Sequence, residues 1–185
     1  VEVIRKNKKN SKNFTTGVSI NHLCLNDNDV GDFKTFLKFS PPLRSENDRK
    51  SLIDAINTGL IDVITSAHKP EDEESKRLPF AQAATGSIGV ETLLPLVLEL
   101  YHNKSIKLQK LIELITVNPA KILKINKGTL KTGRDADICL FDLDEPWKVD
   151  VNTLKSKSKN AAIENKTLQG KVQMTFLKGE LVFQN

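Results

Sequence analysis

A chain of 185 residues with 38% hydrophobic and 28% charged residues has enough apolar material to bury a core and the balance of a soluble globular protein. Its apolar runs fall short of the roughly 20 residues a membrane span requires, and the opening Val1-Glu2-Val3-Ile4-Arg5-Lys6 carries no signal-peptide pattern. The net charge of +5, with Arg5, Lys6, Lys8, Lys9 and Lys12 near the start, raises nucleic acid as a partner. No aromatic residues interleave these lysines as a stacking surface would require, so the run reads as a solvated helix end and loop. No nucleic acid and no membrane are expected as partners. Cys24 and Cys139 each lie in an apolar stretch and form no CxxC pair; buried free thiols in a reducing cytoplasm are the expectation.

Residues 1–9 read as the end of a helix, and Phe14 to Ile20 is β-rich. Phe33 to Phe39 alternates apolar and polar residues as a second strand would, until Pro41-Pro42 stops it. Ser45 with Asp48 is a capping signature. Leu52, Ile53, Ile56 and Leu60 then recur at helical spacing, with Gly59 where a helix C′ residue belongs. Ile61 to Ile64 is short, β-branched and apolar on both faces, as a buried parallel strand should be. It ends in Thr65-Ser66-Ala67-His68-Lys69-Pro70, and such polar strand ends carry the chemistry in α/β barrels.

A polar loop follows, from His68 to about Gly89, holding Glu71-Asp72-Glu73-Glu74; its length without clear periodicity is itself a functional signal. Leu93, Leu94, Val97, Leu98 and Tyr101 make a helix face, with Pro95 tolerated in the first turn. Leu108, Leu111, Ile112 and Ile115 make another. Asn118-Pro119 reads as N-cap and N1 of a third helix. From Gly128 onward short strands take over: Ile138 to Phe141, then a hairpin of Lys171 to Leu177 and Glu180 to Phe183 about Lys178-Gly179. Lys155 to Asn160 reads as a solvated loop. The composition divides the chain into residues 1–125 and 126–185.

Several of these segments resemble, in order, the dihydroorotase branch of the amidohydrolase family. Phe39-Ser40-Pro41-Pro42-Leu43-Arg44 is similar to its Asn/Ser-Pro-Pro-Leu-Arg, and the Ile61–Pro70 strand end to its last barrel strand, which closes on Ser/Thr-Asp-His. Gly86-Ser87-Ile88-Gly89-Val90-Glu91-Thr92 is similar to its Gly-Ile-x-Gly-x-Glu-Thr, and Gly128 to Asp137 resembles its β-sandwich signature. The resemblance implies an α/β fold: the C-terminal part of a (β/α)8 TIM-like barrel, residues 1–125, plus a small β-sandwich segment, residues 126–185. A full barrel needs about 250 residues, so a missing N-terminal barrel half or a partner chain is expected to complete it. The implied activity is zinc-dependent interconversion of carbamoyl-aspartate and dihydroorotate in pyrimidine synthesis.

The family's Asp on the last strand, both metal ligand and general base, corresponds to Ala67, whose methyl does neither. Its other ligands (a His-x-His pair, a Lys or Asp, two further His) lie on upstream strands. By the same resemblance Ser40, Arg44 and Gly86 stand at substrate-binding positions, and the substrate-binding His of many members corresponds to Glu71. His68 is a weak metal candidate better read as packing beside the strand end. His22, in a segment resembling Pro-His-His-Leu, reads as structural, and His102 as an exposed helix-end residue. Zinc is therefore not expected on this chain alone. Two functions follow: a portion of a dihydroorotase-type hydrolase, inactive as this chain, or a non-catalytic dihydroorotase-like scaffold for aspartate carbamoyltransferase.

Overall fold

The computed structural model describes residues 1–10 and 14–185; Lys12 of the basic run lies outside the described residues. Helix α1 (Glu2–Asn10) leads to strand β1 (Gly17–Ser19), which pairs in parallel with β2 (Val63–Thr65), Val18 opposite Ile64. The β-rich stretch ends early: Ser19 caps α2 (Ile20–Cys24), its hydroxyl accepting from the Asn21 N–H, and Ile20 and Leu23 are fully buried. The β1-to-β2 crossover carries α3 (Glu46–Asn57). Ser45 is its N-cap and accepts from Asp48 N, while Glu46 and Asp48 place negative charge at the positive end of the helix. Gly59, at φ +75°, ends it in the left-handed conformation that glycine adopts without a Cβ penalty.

Phe33 to Phe39 is not a strand. It holds a 3-10 turn at Thr35–Leu37, and Phe33 has φ +58°. The alternation did mark burial, since Leu37 and Phe39 are buried and Phe33 is exposed. The backbone, however, is held by single contacts, Lys38 O accepting from Gly86 N and the Thr35 hydroxyl donating to Lys76 O. The long loop after β2 contains a short helix, α4 (Glu73–Arg77), capped by Asp72, whose carboxylate accepts from Ser75 N at 2.7 Å.

Helix α5 (Leu93–His102) has Pro95 in its first turn and buries Leu96, Val97, Leu98 and Leu100. Burial of each such leucine contributes roughly 1.5–3 kcal/mol, which makes α5 the central element of the core. α6 (Leu108–Ile115) turns Leu111 and Leu114 inward. α7 (Val117–Ile122) begins two residues earlier than the Asn-Pro signal implied. Asn118 lies inside it and donates its amide to Asp62 O at 2.9 Å, a tertiary bond that replaces capping.

Strands β3 (Ile138–Lys148), β4 (Thr167–Leu177) and β5 (Glu180–Gln184) form an antiparallel sheet in chain order. Gly170 of β4, at φ +104°, lies where a Cβ would strike Leu98 of α5. Val149, Leu154, Ala161, Ile163 and Leu168 join the same hydrophobic core as the helices. His102 is half-buried rather than exposed, because its Nε2 donates to Leu143 O of β3 at 3.0 Å. Cys139 is exposed rather than buried, on a strand whose residues alternate between the two sides of the sheet, whereas Cys24 is half-buried beside α5. No helix among the described residues is long and apolar enough to cross a membrane.

Candidate functional site

Three segments meet at the end of β2. Beyond Thr65 the chain runs through Ser66, Ala67 and His68, with Ala67 in the left-handed region at φ +48°. Residues 86–89 lie alongside: Lys69 N donates to Ser87 O at 2.8 Å, and Gly89 N donates to His68 Nδ1 at 3.1 Å. The approach is close enough that a Cβ on Gly89 would sit 2.5 Å from Ser66 O. The third segment carries Ser40 and Pro41, joined by a cis peptide. It is anchored on one side by Gly86 N to Lys38 O at 2.9 Å and on the other by His22, whose Nε2 donates to Pro41 O at 3.0 Å. His22 is thus structural, its ring tilted against Phe39 with centroids 6.0 Å apart.

Ala67, Glu71 and Gly86 fall at this junction and Ser40 lies on its third segment, whereas Arg44 contacts Asp27 N, through its carbonyl, and Asp48. Ser40 and Arg44 are exposed, and the Arg44 guanidinium is only loosely paired, 3.8 Å from Asp48. Glu71 is half-buried and ion-paired with Lys69 at 3.1 Å. Gly86 is buried, at φ +131°, with the Lys69 stem covering the side where a Cβ would project. Its half-exposed neighbours Ala84 and Thr85 are the accessible part of that segment. Ala67 is exposed at the junction itself.

Three residues here had no signal in the sequence. Lys76 of α4 is 1% exposed, and its ammonium donates to Ala84 O at 2.8 Å and Gly86 O at 3.0 Å. Burial pushes it down to about 8; the Glu71 carboxylate works against that, while Lys38 and Lys69 add to it. Asn160, expected in a solvated loop, is buried. Its amide donates to Lys69 O and Gly86 O, and its carbonyl oxygens accept from Glu71 N and Ile88 N. Asn21, beside His22, is 3% exposed, and its Nδ2 has no hydrogen-bond partner. A charge cluster at 71–74 and a Lys/Ser run at 155–159 mask the first two, because composition does not reveal which single member turns inward.

A metal ion does not fit the donors present. Ala67, exposed at the junction, offers only a methyl. His68 already engages its Nδ1 as an acceptor from Gly89 N at 3.1 Å. Among the described residues no three His, Cys, Asp or Glu side chains come together as a metal-holding group.

The chain belongs to the amidohydrolase family, whose pattern matches residues 1–182. Its relatives are more particular. It is 39% identical over 183 residues to the dihydroorotase of Ehrlichia canis, covering 99% of this chain and 41% of that protein. It is 41% identical over 183 residues to the dihydroorotase of Acetivibrio thermocellus, covering 98% and 43%. Among solved structures it superposes on the L-hydantoinase (dihydropyrimidinase) of Arthrobacter aurescens with TM-score 0.93 at 29% identity, over 99% of this chain and 42% of that one. The dihydropyrimidinase of Brevibacillus agri, at TM-score 0.89 and 24% identity over 98% and 42%, shares the fold. The fold is therefore that of a portion of the amidohydrolase barrel with its small β-sheet region. The chain spans about two-fifths of the length of the relatives it matches.

Proposed function

We propose that this chain forms the substrate-side part of a dihydroorotase-type cyclic amidohydrolase, acting on the carbamoyl-aspartate/dihydroorotate pair in pyrimidine synthesis. One observation carries the reading: three motif-bearing segments are hydrogen-bonded to one another at the end of β2, around position 67. The relatives named dihydroorotase support it across nearly the whole chain. In this reading the Ser40 hydroxyl and the loosely held Arg44 guanidinium orient an anionic ligand, a task suited to a planar donor fork. The Ala84–Gly86 backbone lines the opposite side. Glu71 does not repel the ligand as a free carboxylate would, because Lys69 neutralises it. General-base work needs a group that can take a proton, and Ala67 cannot, so this chain supplies no base at the strand end. Zinc, when bound by a family member, polarises the ring carbonyl and activates water; here its ligands would have to come from other residues of the whole protein.

Ala67 also favours a second reading, a non-catalytic scaffold for aspartate carbamoyltransferase. Calorimetric titration of the full-length protein with dihydroorotate separates the two. Saturable binding at one site per chain is the expected result. Absence of binding, together with co-elution with the transferase, would replace the first reading by the second.

A further inference from the structure

Residues 81–86 are held by an unusual set of donors. Lys38 Nζ donates to Ala81 O at 3.0 Å and Ala83 O at 2.8 Å, and Lys69 Nζ to Thr85 O at 2.6 Å. Lys76 Nζ takes the Ala84 and Gly86 carbonyls. Three ammonium groups from three separate segments thus bind five backbone carbonyls of one short loop. A buried ammonium is expensive to desolvate, and an apolar side chain of similar length usually serves stability as well or better. Lys76 nevertheless reaches the interior to meet only neutral carbonyls, while Glu71 pairs with Lys69. The benefit of this arrangement is local: it fixes the path of residues 81–86.

We propose that Lys38, Lys69 and Lys76 form a clamp, with Lys76 its buried centre, that positions the Ala84–Gly86 backbone for ligand contact; the ligand part of this rests on the reading above. None of the three needs to touch the ligand. Their charge-assisted bonds hold the loop carbonyls, so the segment meets a ligand already ordered, without the loss of affinity that ordering it on binding would bring. Lys38 also ties the clamp to the Ser40 segment, because its own carbonyl accepts from Gly86 N.

The test uses the full-length protein with Lys76→Met, which keeps the side-chain length and removes the ammonium, and Lys76→Arg, which keeps a donor. Amide hydrogen exchange and dihydroorotate affinity are measured on each. In Lys76→Met, exchange at residues 84–87 is expected to rise at least tenfold with α3 and α5 unchanged, and affinity to fall at least tenfold; Lys76→Arg stays within about threefold of wild type in both. Exchange and affinity within twofold of wild type in Lys76→Met would overturn the clamp. So would a rise spread evenly over α3 and α5 that arginine does not rescue, since that marks a residue of general stability only. If Lys76→Met does not fold, Lys38→Met replaces it: a rise confined to 81–86 supports the clamp and no rise overturns it. A wild-type protein that binds no dihydroorotate counts against the function proposed above, and the exchange comparison still decides whether the lysines fix the loop.

Discussion

Gly89→Ala isolates the contact that brings residues 86–89 against the strand end. The added Cβ would stand 2.5 Å from Ser66 O, where ordinary contact begins at 3.4 Å, so the two backbones must part by about 0.9 Å. That shift carries the Lys69 N to Ser87 O bond from 2.8 Å, and the Gly89 N to His68 Nδ1 bond from 3.1 Å, beyond hydrogen-bonding range. Two such bonds are worth about 1 kcal/mol each. Alanine also restricts the unfolded chain, which returns roughly 0.4–1 kcal/mol. The net expectation is a loss of about 1–2 kcal/mol in urea unfolding of the full-length protein, with faster exchange at the Lys69 amide. Gly179→Ala serves as control: it meets open space at φ +87°, so it brings only left-handed strain of about 1–2 kcal/mol and leaves Lys69 untouched. Unchanged Lys69 exchange in Gly89→Ala would refute the close packing of these segments and the site frame built on it.

The two thiols should separate cleanly: burial first, then the Glu99 carboxylate, pushes Cys24 up to about 12, and Cys139 is exposed. Iodoacetamide at pH 8 is expected to label Cys139 in the native protein and Cys24 only on unfolding, as read by mass spectrometry. Burial works to raise Asp62, but hydrogen bonds from Lys8 and from Thr16 outweigh it and hold the carboxyl below its usual range. Its contribution to stability is therefore full above the ordinary aspartate pKa and lost as pH falls through the depressed one. Lys8→Met should move the onset of acid unfolding to higher pH, and an unchanged acid limb would count against the pairing. Lys76 has the same sign in a higher window: between about pH 8 and the ordinary lysine value of 10.5 the unfolded chain binds the extra proton, so stability rises with pH there too. Lys76→Met should abolish this rise, on the order of 1–3 kcal/mol, in unfolding curves taken at pH 8 and pH 10.

The elements legible in the sequence were those whose cause is local. Ser45 and Gly59 bracket α3 because a cap oxygen and a left-handed glycine act within one turn. The apolar face of α5 is visible because burial repeats at helical spacing. Phe33 to Phe39 misled because alternation reports which side chains are buried, not whether the backbone finds a strand partner; Gly86 and Lys76 supply single bonds there instead. Asn118 looked like a cap because its partner, Asp62 O, is 56 residues away. The sequence motifs that hold Ser40, Ala67 and Gly86 meet at the end of β2, because each motif marks a segment rather than a single side chain. Glu91 accepts from Lys155 N and Ser156 N and so ties the Lys/Ser run down beside the site. Lys76 and Asn160 were not legible, because a buried lysine or asparagine inside a polar stretch has the same local sequence as an exposed one.

The left-handed backbone at position 67 is one that Asp and Asn adopt more readily than Ala, as expected of a frame that suits a carboxylate. The most direct measurement is turnover of dihydroorotate, with zinc present, by the full-length protein carrying Ala67→Asp against the same protein with alanine. On the proposed reading a carboxylate at position 67 supplies a base and a metal ligand, and should raise the rate by about 10²–10⁴-fold, the range a positioned acid–base group contributes, together with increased zinc retention. Equal rates and equal zinc content in the two proteins would contradict the claim that position 67 lies within a preserved amidohydrolase site.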